Sequence, residues 1–203
     1  MTKTLFIDYI LEDGHVNFDR IHIDALKSTS EVSLILHNSI ADKLPYSKDE
    51  YAFVIPHCLR KRKGKPFMNR ILFLLTLLCI KLKVNTSAYD HIILANCDEI
   101  TLGLFPWFKH AFIICHGNGR HLNQSVKRFF MKRVAKRNTL LVFNESMRTP
   151  FIKHGMHNIK VISHGCVTPF RRKEQVELPV DLNKYEFVVY HPSPKTNVGF
   201  VSE

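Results

Sequence analysis

The sequence predicts an α/β fold, in which a parallel β-sheet is covered by helices on both faces. Short apolar runs of strand length alternate along the chain with segments whose apolar residues recur at helical spacing. The runs are continuously apolar, which is typical of strands that are buried on both faces. Polar loops follow them, and the loops after parallel strands meet at one sheet edge, where α/β proteins bind ligands.

Seven runs predict strands and five segments between them predict helices. The strands are expected at residues 4–10, 32–37, 51–55, 91–95, 111–115, 139–143 and 159–162. The helices are expected at residues 18–26, 66–83, 98–105, 123–137 and 146–154. Pro66 suits the first turn of its helix, Asn96 or Asp98 can cap the next, and Gly155 stops the last.

This alternation is a Rossmann-like arrangement over residues 1–168. Residues 169–185 have the charged, proline-containing composition of a linker. Residues 186–203 predict a fresh strand and loop, the truncated start of a second domain. The longest apolar run, over residues 71–80, is about half of what a membrane span requires, so no segment is expected to cross a bilayer.

The charge is strongly basic and unevenly distributed. The chain has 29 Lys and Arg against 18 Asp and Glu, and no acid occurs between Tyr51 and Tyr89 or between Ile100 and Asn144. Such a surface suits phosphate on nucleic acid, on nucleotides or on anionic lipid. Nucleic acid is disfavoured because no helix-turn-helix, zinc-finger, RRM or KH signature is present. The five cysteines are widely spaced with no CxxC pair, which indicates a reducing, cytosolic setting and no metal site.

Several polar residues stand where strands are expected to end. His116, Gly117 and Asn118 follow one strand, and His116 could contact a sugar hydroxyl or act as a general base. The alternative is a turn histidine beside glycines that serve only the backbone. Asp8 lies inside or just after the first strand, and Gly14 and His15 lie in the loop that follows, where a ligand could also approach. A plain turn glycine is the alternative for Gly14.

Two further acids have two interpretations each. Asp98 and Glu145 follow later strands and could face the ligand. Helix capping is the simpler explanation around Asp98, and Ser146 could cap the helix beside Glu145.

The helix predicted over 123–137 offers a cationic face. Its candidate membrane-facing residues are Lys127, Arg128, Lys132, Arg133, Lys136 and Arg137. An apolar stripe is expected on the opposite side, made of Val126, Phe129, Phe130 and Val134. A solvated basic face is the alternative, but cations beside apolar residues favour an anionic membrane surface.

A resemblance to a known family emerges near the end of the predicted domain. Asn144-Glu-Ser146 opens a helix, His154-Gly155 ends it, and Val161-Ile-Ser-His-Gly165 follows. This succession resembles the end of the acceptor domain in GT-B glycosyltransferases of the family 4 type. The strand that ends in His116 is similar to the family's strand whose terminal histidine lines the active-site cleft. Val188-Val-Tyr-His-Pro-Ser-Pro-Lys195 resembles the opening of the nucleotide-sugar domain.

The resemblance implies the N-terminal, acceptor half of a GT-B glycosyltransferase, inactive alone. The intact enzyme would transfer a sugar from a nucleotide-sugar to a carbohydrate or lipid-linked acceptor, in surface polysaccharide or glycolipid biosynthesis. It would need no metal or cofactor and would sit at the inner face of the membrane. By analogy His116 touches the transferred sugar, the loop of Gly14 and His15 approaches donor or acceptor, and Lys195 lies near the donor diphosphate. One departure is Tyr190-His191, which stands where the family has a Gly-Arg pair.

Two functions from other classes stay open at the level of sequence. One is a non-catalytic basic α/β module that binds anionic membrane or a partner protein. The other, less favoured, is a nucleic-acid-binding domain.

Overall fold

The computed structural model describes residues 1–9, 15–117 and 119–162. Its strands are β1 Lys3–Ile7, β2 Glu31–His37, β3 Tyr51–Ile55, β4 His91–Leu94, β5 Phe112–Ile114, β6 Thr139–Val142 and β7 Ile159–Val161. Its α-helices are α1 Val16–Lys27, α2 Asn38–Ala41, α3 Pro66–Lys83, α4 Glu99–Leu104, α5 Ser125–Ala135 and α6 Glu145–Lys153. These strands form one sheet in the order β3-β2-β1-β4-β5-β6-β7, and every neighbouring pair is parallel. The predicted α/β class with a Rossmann-like parallel sheet is confirmed.

The strand order places a topological switch point between β1 and β4. From β1 the chain builds outward to β3, and after α3 it returns to the other side of β1 and builds outward to β7. Strands β1 and β4 pair from Thr4 with His91 to Ile7 with Leu94. The crevice outside the carboxyl ends of two such strands is the usual ligand site of open α/β sheets.

Helices cover both faces of the sheet, as expected. Along β1, Leu5 and Ile7 point to one face and Phe6 to the other, because successive side chains of a strand alternate. Helices α3, α4, α5 and α6 contribute buried residues to the first core cluster. Helices α1 and α2 contribute Ile23 and Ile40 to the second.

Helix α2 was not predicted, and its cause is a local side-chain cap. At its start Nδ1 of His37 accepts a hydrogen bond from the backbone N–H of Ser39 over 3.2 Å. The cap stabilises one turn that is too short to show a periodic pattern. The first strand also ends earlier than expected, at Ile7, so that Asp8 and Tyr9 lie beyond it. The predicted linker over 169–185 and the strand and loop over 186–203 lie outside the described residues.

Candidate functional site

The carboxyl ends of β1 and β4 bring a buried carboxylate against an imidazole. Asp8 directly follows β1 and is fully buried. Nδ1 of His15, the residue before α1, lies 3.0 Å from Oδ2 of Asp8. Nδ2 of Asn96 donates to Oδ1 of Asp8 over 2.8 Å. Nδ2 of Asn96 is also 3.1 Å from Nδ1 of His15, a contact between two groups that both donate to Asp8.

The bond to Asp8 sets the tautomer of His15. A carboxylate accepts hydrogen bonds, so Nδ1 of His15 carries the proton and Nε2 is the basic nitrogen of the ring. The His15 side chain is 19% exposed whereas that of Asp8 is 0% exposed, so the imidazole links a buried charge to the surface.

A second buried carboxyl group stands beside this pair. Asp19 on α1 is fully buried, and neither of its oxygens has a hydrogen-bond donor among the described residues. Burial raises the pKa of Asp19 well above its ordinary value, and the negative charge of Asp8 raises it further. A protonated Asp19 leaves a single negative charge on the pair.

His116 lies next to His15 in a cluster of rings. The centroids of the two imidazoles are 5.2 Å apart, and Phe18 and Phe143 lie 4.6 Å and 5.7 Å from His116. His116 is exposed, and its Nε2 donates to the carbonyl oxygen of Ala95 over 2.8 Å. Desolvation by the surrounding protein lowers the pKa of His116, and the neighbouring imidazoles lower it further. A neutral ring with Nε2–H bound to the backbone offers Nδ1 as an acceptor.

The same cluster includes a donor set that could hold a cation. Asp8, His15 and Asp19 each offer one ligand atom, and these atoms all lie within 4.8 Å of one another. Two carboxylates and an imidazole suit a divalent transition metal. Binding it would require a deprotonated Asp19 and a His15 that has released its hydrogen bond to Asp8. The sequence had predicted no metal site.

Neither protein-family models nor curated proteins gave a match when compared with this chain. The chemistry of the cluster itself is therefore what points to a function. That chemistry consists of an oriented imidazole, a second neutral imidazole and an apolar wall of phenylalanine rings.

The other predicted site residues have different surroundings. Oδ1 of Asp98 accepts from the N–H of Thr101 over 2.8 Å and caps α4, the simpler of its two interpretations. Glu145 is exposed, and its carboxylate pairs with Arg148 on the same helix at 3.3 Å. Neither acid contributes to the hydrogen bonds around Asp8 described above. Gly14, Asn118 and Lys195 lie outside the described residues.

The two glycines after β5 differ in what they require. A methyl group on Gly117 would lie 3.5 Å from the ring of His121, an ordinary contact, so the position does not demand glycine. Gly119 has φ +76°, and a methyl group there would come within 2.7 Å of Pro150. Gly119 is thus the glycine whose backbone conformation a side chain would strain.

The apolar stripe predicted for the cationic helix is buried only in part. On α5 Val134 is buried as expected, together with Met131 and Ala135. Val126 and Phe129 are exposed, because they share the outward side of the helix with the cations.

The six candidate cations divide into two groups, and two of them, Lys136 and Arg137, follow the end of α5 at Ala135. Lys132, Arg133, Lys136 and Arg137 are exposed. Lys127 is half-buried and lies 3.6 Å from Glu99, and Arg128 donates to the carbonyl oxygen of Leu122 over 3.3 Å. Among the described residues no helix has both the length and the apolarity that crossing a membrane requires.

Sequence reasoning missed Asp19 and undervalued Asn96. Asp19 and Ile23 lie on the buried side of α1. The apolar spacing of Phe18 and His22 had indicated a side that is rotated by one residue along the helix. An acid in a helical pattern normally marks solvent, so no signal in the sequence identified it. Asn96 was noted at a strand end, where helix capping was the favoured explanation.

Proposed function

We propose that this chain binds the sugar acceptor of a glycosyltransferase, which moves a sugar from a nucleotide-sugar to a carbohydrate or lipid-linked acceptor. The observation that carries the proposal is the Asp8–His15 pair at the switch point, beside His116. The acceptor hydroxyl oxygen forms a bond to the anomeric carbon, and the bond from that carbon to the diphosphate oxygen breaks. The hydroxyl proton passes to Nε2 of His15, and the nucleoside diphosphate leaves.

His15 has the surroundings of a general base. The buried carboxylate of Asp8 holds the ring by Nδ1 and stabilises the imidazolium that forms when Nε2 takes a proton. The hydrogen bond from Asn96 holds Asp8 in turn, so that the carboxylate keeps its orientation. General base catalysis of this kind contributes about 10²- to 10⁴-fold in rate.

His116 suits a contact with the sugar itself. Its lowered pKa keeps the ring neutral at physiological pH, and its Nδ1 can accept a hydrogen bond from a hydroxyl group. Phe18 and Phe143 place apolar rings beside it, and sugar sites combine such surfaces with a few oriented polar groups.

The proposal includes contact with an anionic membrane surface, where a lipid-linked acceptor would be found. The exposed cations on α5 and directly after it support it. Transfer itself requires no metal in this proposal, because basic groups and helix N-termini can hold the leaving diphosphate.

Saturation-transfer NMR tests whether the site binds sugar. The ligands are a panel of methyl glycosides of glucose, galactose, mannose and N-acetylglucosamine, followed by their UDP- and GDP-linked sugars. We expect saturation of at least one ligand by the wild-type chain and its loss in His116→Ala. The matched control is His157→Ala, which removes an exposed imidazole in the loop that leads into β7, at the opposite edge of the sheet. A panel without any saturation, or equal loss in both variants, would contradict the proposal.

A transfer assay with washed membranes separates the base from the binding residues. Radiolabelled nucleotide-sugars are added with the intact enzyme that the proposal requires, carrying either His15 or His15→Gln, because this half is expected to be inactive alone. The variant should bind the methyl glycoside as before and lose about 10²-fold or more of any transfer rate. Unchanged transfer in His15→Gln would remove His15 from the role of base.

A further inference from the structure

Helix α3 is apolar on two opposite sides. Phe73, Leu77 and Ile80 pack into the core. Six other apolar side chains are between 37% and 76% exposed: Phe67, Met68, Ile71, Leu75, Leu78 and Leu82. At about 100° per residue these six fall within an arc of about 100°, on the side opposite the core. They form a continuous band, the α3 stripe, along a helix of 18 residues.

Cations border the α3 stripe. Lys65 precedes the helix, and Lys81 and Lys83 lie in its last turn; all three are exposed. By helical spacing Lys65 and Lys83 flank one side of the stripe and Lys81 flanks the other. No acid occurs in the sequence between Tyr51 and Tyr89. An apolar band with cations on both sides matches the layers of an anionic bilayer surface, where headgroups lie above the acyl chains.

Helix α5 presents a similar surface on the same face of the sheet. Phe73 of α3 and Met131 of α5 belong to one core cluster, so the outward sides of both helices point away from the sheet on that face. On α5 Val126 is 61% exposed and Phe129 57% exposed. The guanidinium of Arg133 lies 5.9 Å from the ring of Phe129.

We propose that the α3 stripe is the surface by which this protein docks on an anionic lipid bilayer, with α3 lying in the plane of the headgroups. The stripe inserts its apolar side chains between the acyl chains, and the flanking lysines contact the anionic headgroups. This inference rests on the membrane part of the proposed function and is independent of sugar transfer. It makes α3, and not the cationic helix α5, the principal contact.

Charge distinguishes a bilayer from a second copy of the chain as the occupant. A two-fold dimer through the α3 stripe would place the same patch on both sides of the interface. Both patches carry cations without an acid in the same stretch, so the two copies would repel each other. An anionic surface neutralises these cations while it covers the apolar band.

Vesicle flotation tests the proposal with two matched variants. The vesicles contain phosphatidylcholine alone or with a third of phosphatidylglycerol. The α3 variant is Phe67→Gln, Leu75→Gln and Leu82→Gln, which changes exposed positions only and keeps a good helix former. The α5 variant is Val126→Gln and Phe129→Gln. Far-UV circular dichroism and thermal unfolding of each variant verify that the fold is retained.

We expect the wild-type chain to float with the anionic vesicles and to dissociate in high salt. The lipid concentration for half-binding should rise about tenfold or more in the α3 variant. The α5 variant should show a smaller rise. Lys81→Gln and Lys83→Gln should each raise the concentration about fivefold.

Three results would overturn the inference. The first is wild-type chain that does not float with anionic vesicles. The second is a loss of binding in the α5 variant while the α3 variant binds normally. The third is light scattering that shows a dimer for the wild-type chain and a monomer for the α3 variant. A second copy of the chain would then cover the α3 stripe. Sugar binding in the NMR experiment is a separate readout. A chain that does not bind vesicles could still bind sugar, and a chain that does not bind sugar could still bind vesicles, so each proposal can fail without the other.

Discussion

Nδ1 of His15 lies 3.0 Å from Oδ2 of Asp8, and this bond joins the end of β1 to the start of α1. The carboxylate is fully buried and also accepts a hydrogen bond from Asn96, which follows β4. Asp8 thus connects both strands of the switch point to the helix that begins there. One buried negative charge holds together the elements that build the site.

Replacement of Asp8 by asparagine should destabilise the fold. Asparagine offers one acceptor oxygen in place of two, so its NH₂ group must face a donor on His15 or Asn96. A buried donor left unpaired costs about 1–3 kcal/mol, and we expect a loss of that size in urea unfolding of Asp8→Asn. Asp49→Asn removes an exposed carboxylate and should stay within about 0.5 kcal/mol of the wild type. Equal stability of both variants would mean that Asp8 is not the acceptor of these bonds.

Asp19 should make stability fall as pH rises. Burial and the charge of Asp8 raise the pKa of Asp19, so the folded chain holds a proton that the unfolded chain releases above about pH 3.9. Stability is full below the unfolded pKa and decreases by about 1.4 kcal/mol per pH unit until the folded pKa is reached. Asp19→Asn cannot ionise, so it should not show this fall and its stability should rise relative to that of the wild type as pH rises.

Urea unfolding of both chains between pH 5 and pH 8 measures this difference. The measurement is repeated with EDTA and with added Zn²⁺ or Mn²⁺. If the metal stabilises the wild-type chain but not Asp19→Asn, then Asp19 is charged and serves as a metal ligand. The idea that Asp19 is protonated would then be wrong.

The fold could be predicted from local pattern because each strand is an apolar run of sufficient length. His116, His15 and Asp8 could be proposed as site residues for a related reason, since a residue that follows a parallel strand lies at the ligand edge. The bond between Asp8 and Asn96 could not be predicted. It spans 88 positions and depends on β1 lying beside β4, which no local pattern specifies.

The outward apolar residues were misassigned for a different physical reason. Helices α3 and α5 each carry apolar side chains on two opposite sides. Sequence spacing identifies apolar stripes but does not say which of two packs on the sheet. Phe129 was therefore expected inside, while Met131 in fact contributes to the core.

His116 should titrate below the ordinary value for histidine. Desolvation lowers the pKa of His116, and the hydrogen bond to the carbonyl of Ala95 only partly opposes the effect. Its ring signals in ¹H–¹³C NMR should show a midpoint below about 6.5. The unfolded chain then binds the proton first as pH falls, so this residue contributes stability that is lost on acidification between the two pKa values. His116→Gln should show a smaller loss over the same range, and a midpoint above 6.5 would contradict the neutral role proposed for this ring.

Gly103 should resist substitution because α4 and α5 pack closely at this point. A methyl group there would lie 2.7 Å from Cβ and 2.9 Å from the carbonyl oxygen of Phe130, and the backbone oxygen cannot rotate away. Overpacking of this kind costs about 1–3 kcal/mol, which exceeds the roughly 1 kcal/mol that alanine gains over glycine inside a helix. Gly103→Ala should therefore unfold at lower urea concentration than the wild type. Gly117→Ala, where a methyl group has room, serves as the matched control and should change stability by less than about 0.5 kcal/mol. If both variants matched the wild type, α4 and α5 would have to lie farther apart, and the outward side of α5 would then lose the fixed orientation that aligns it with the α3 stripe.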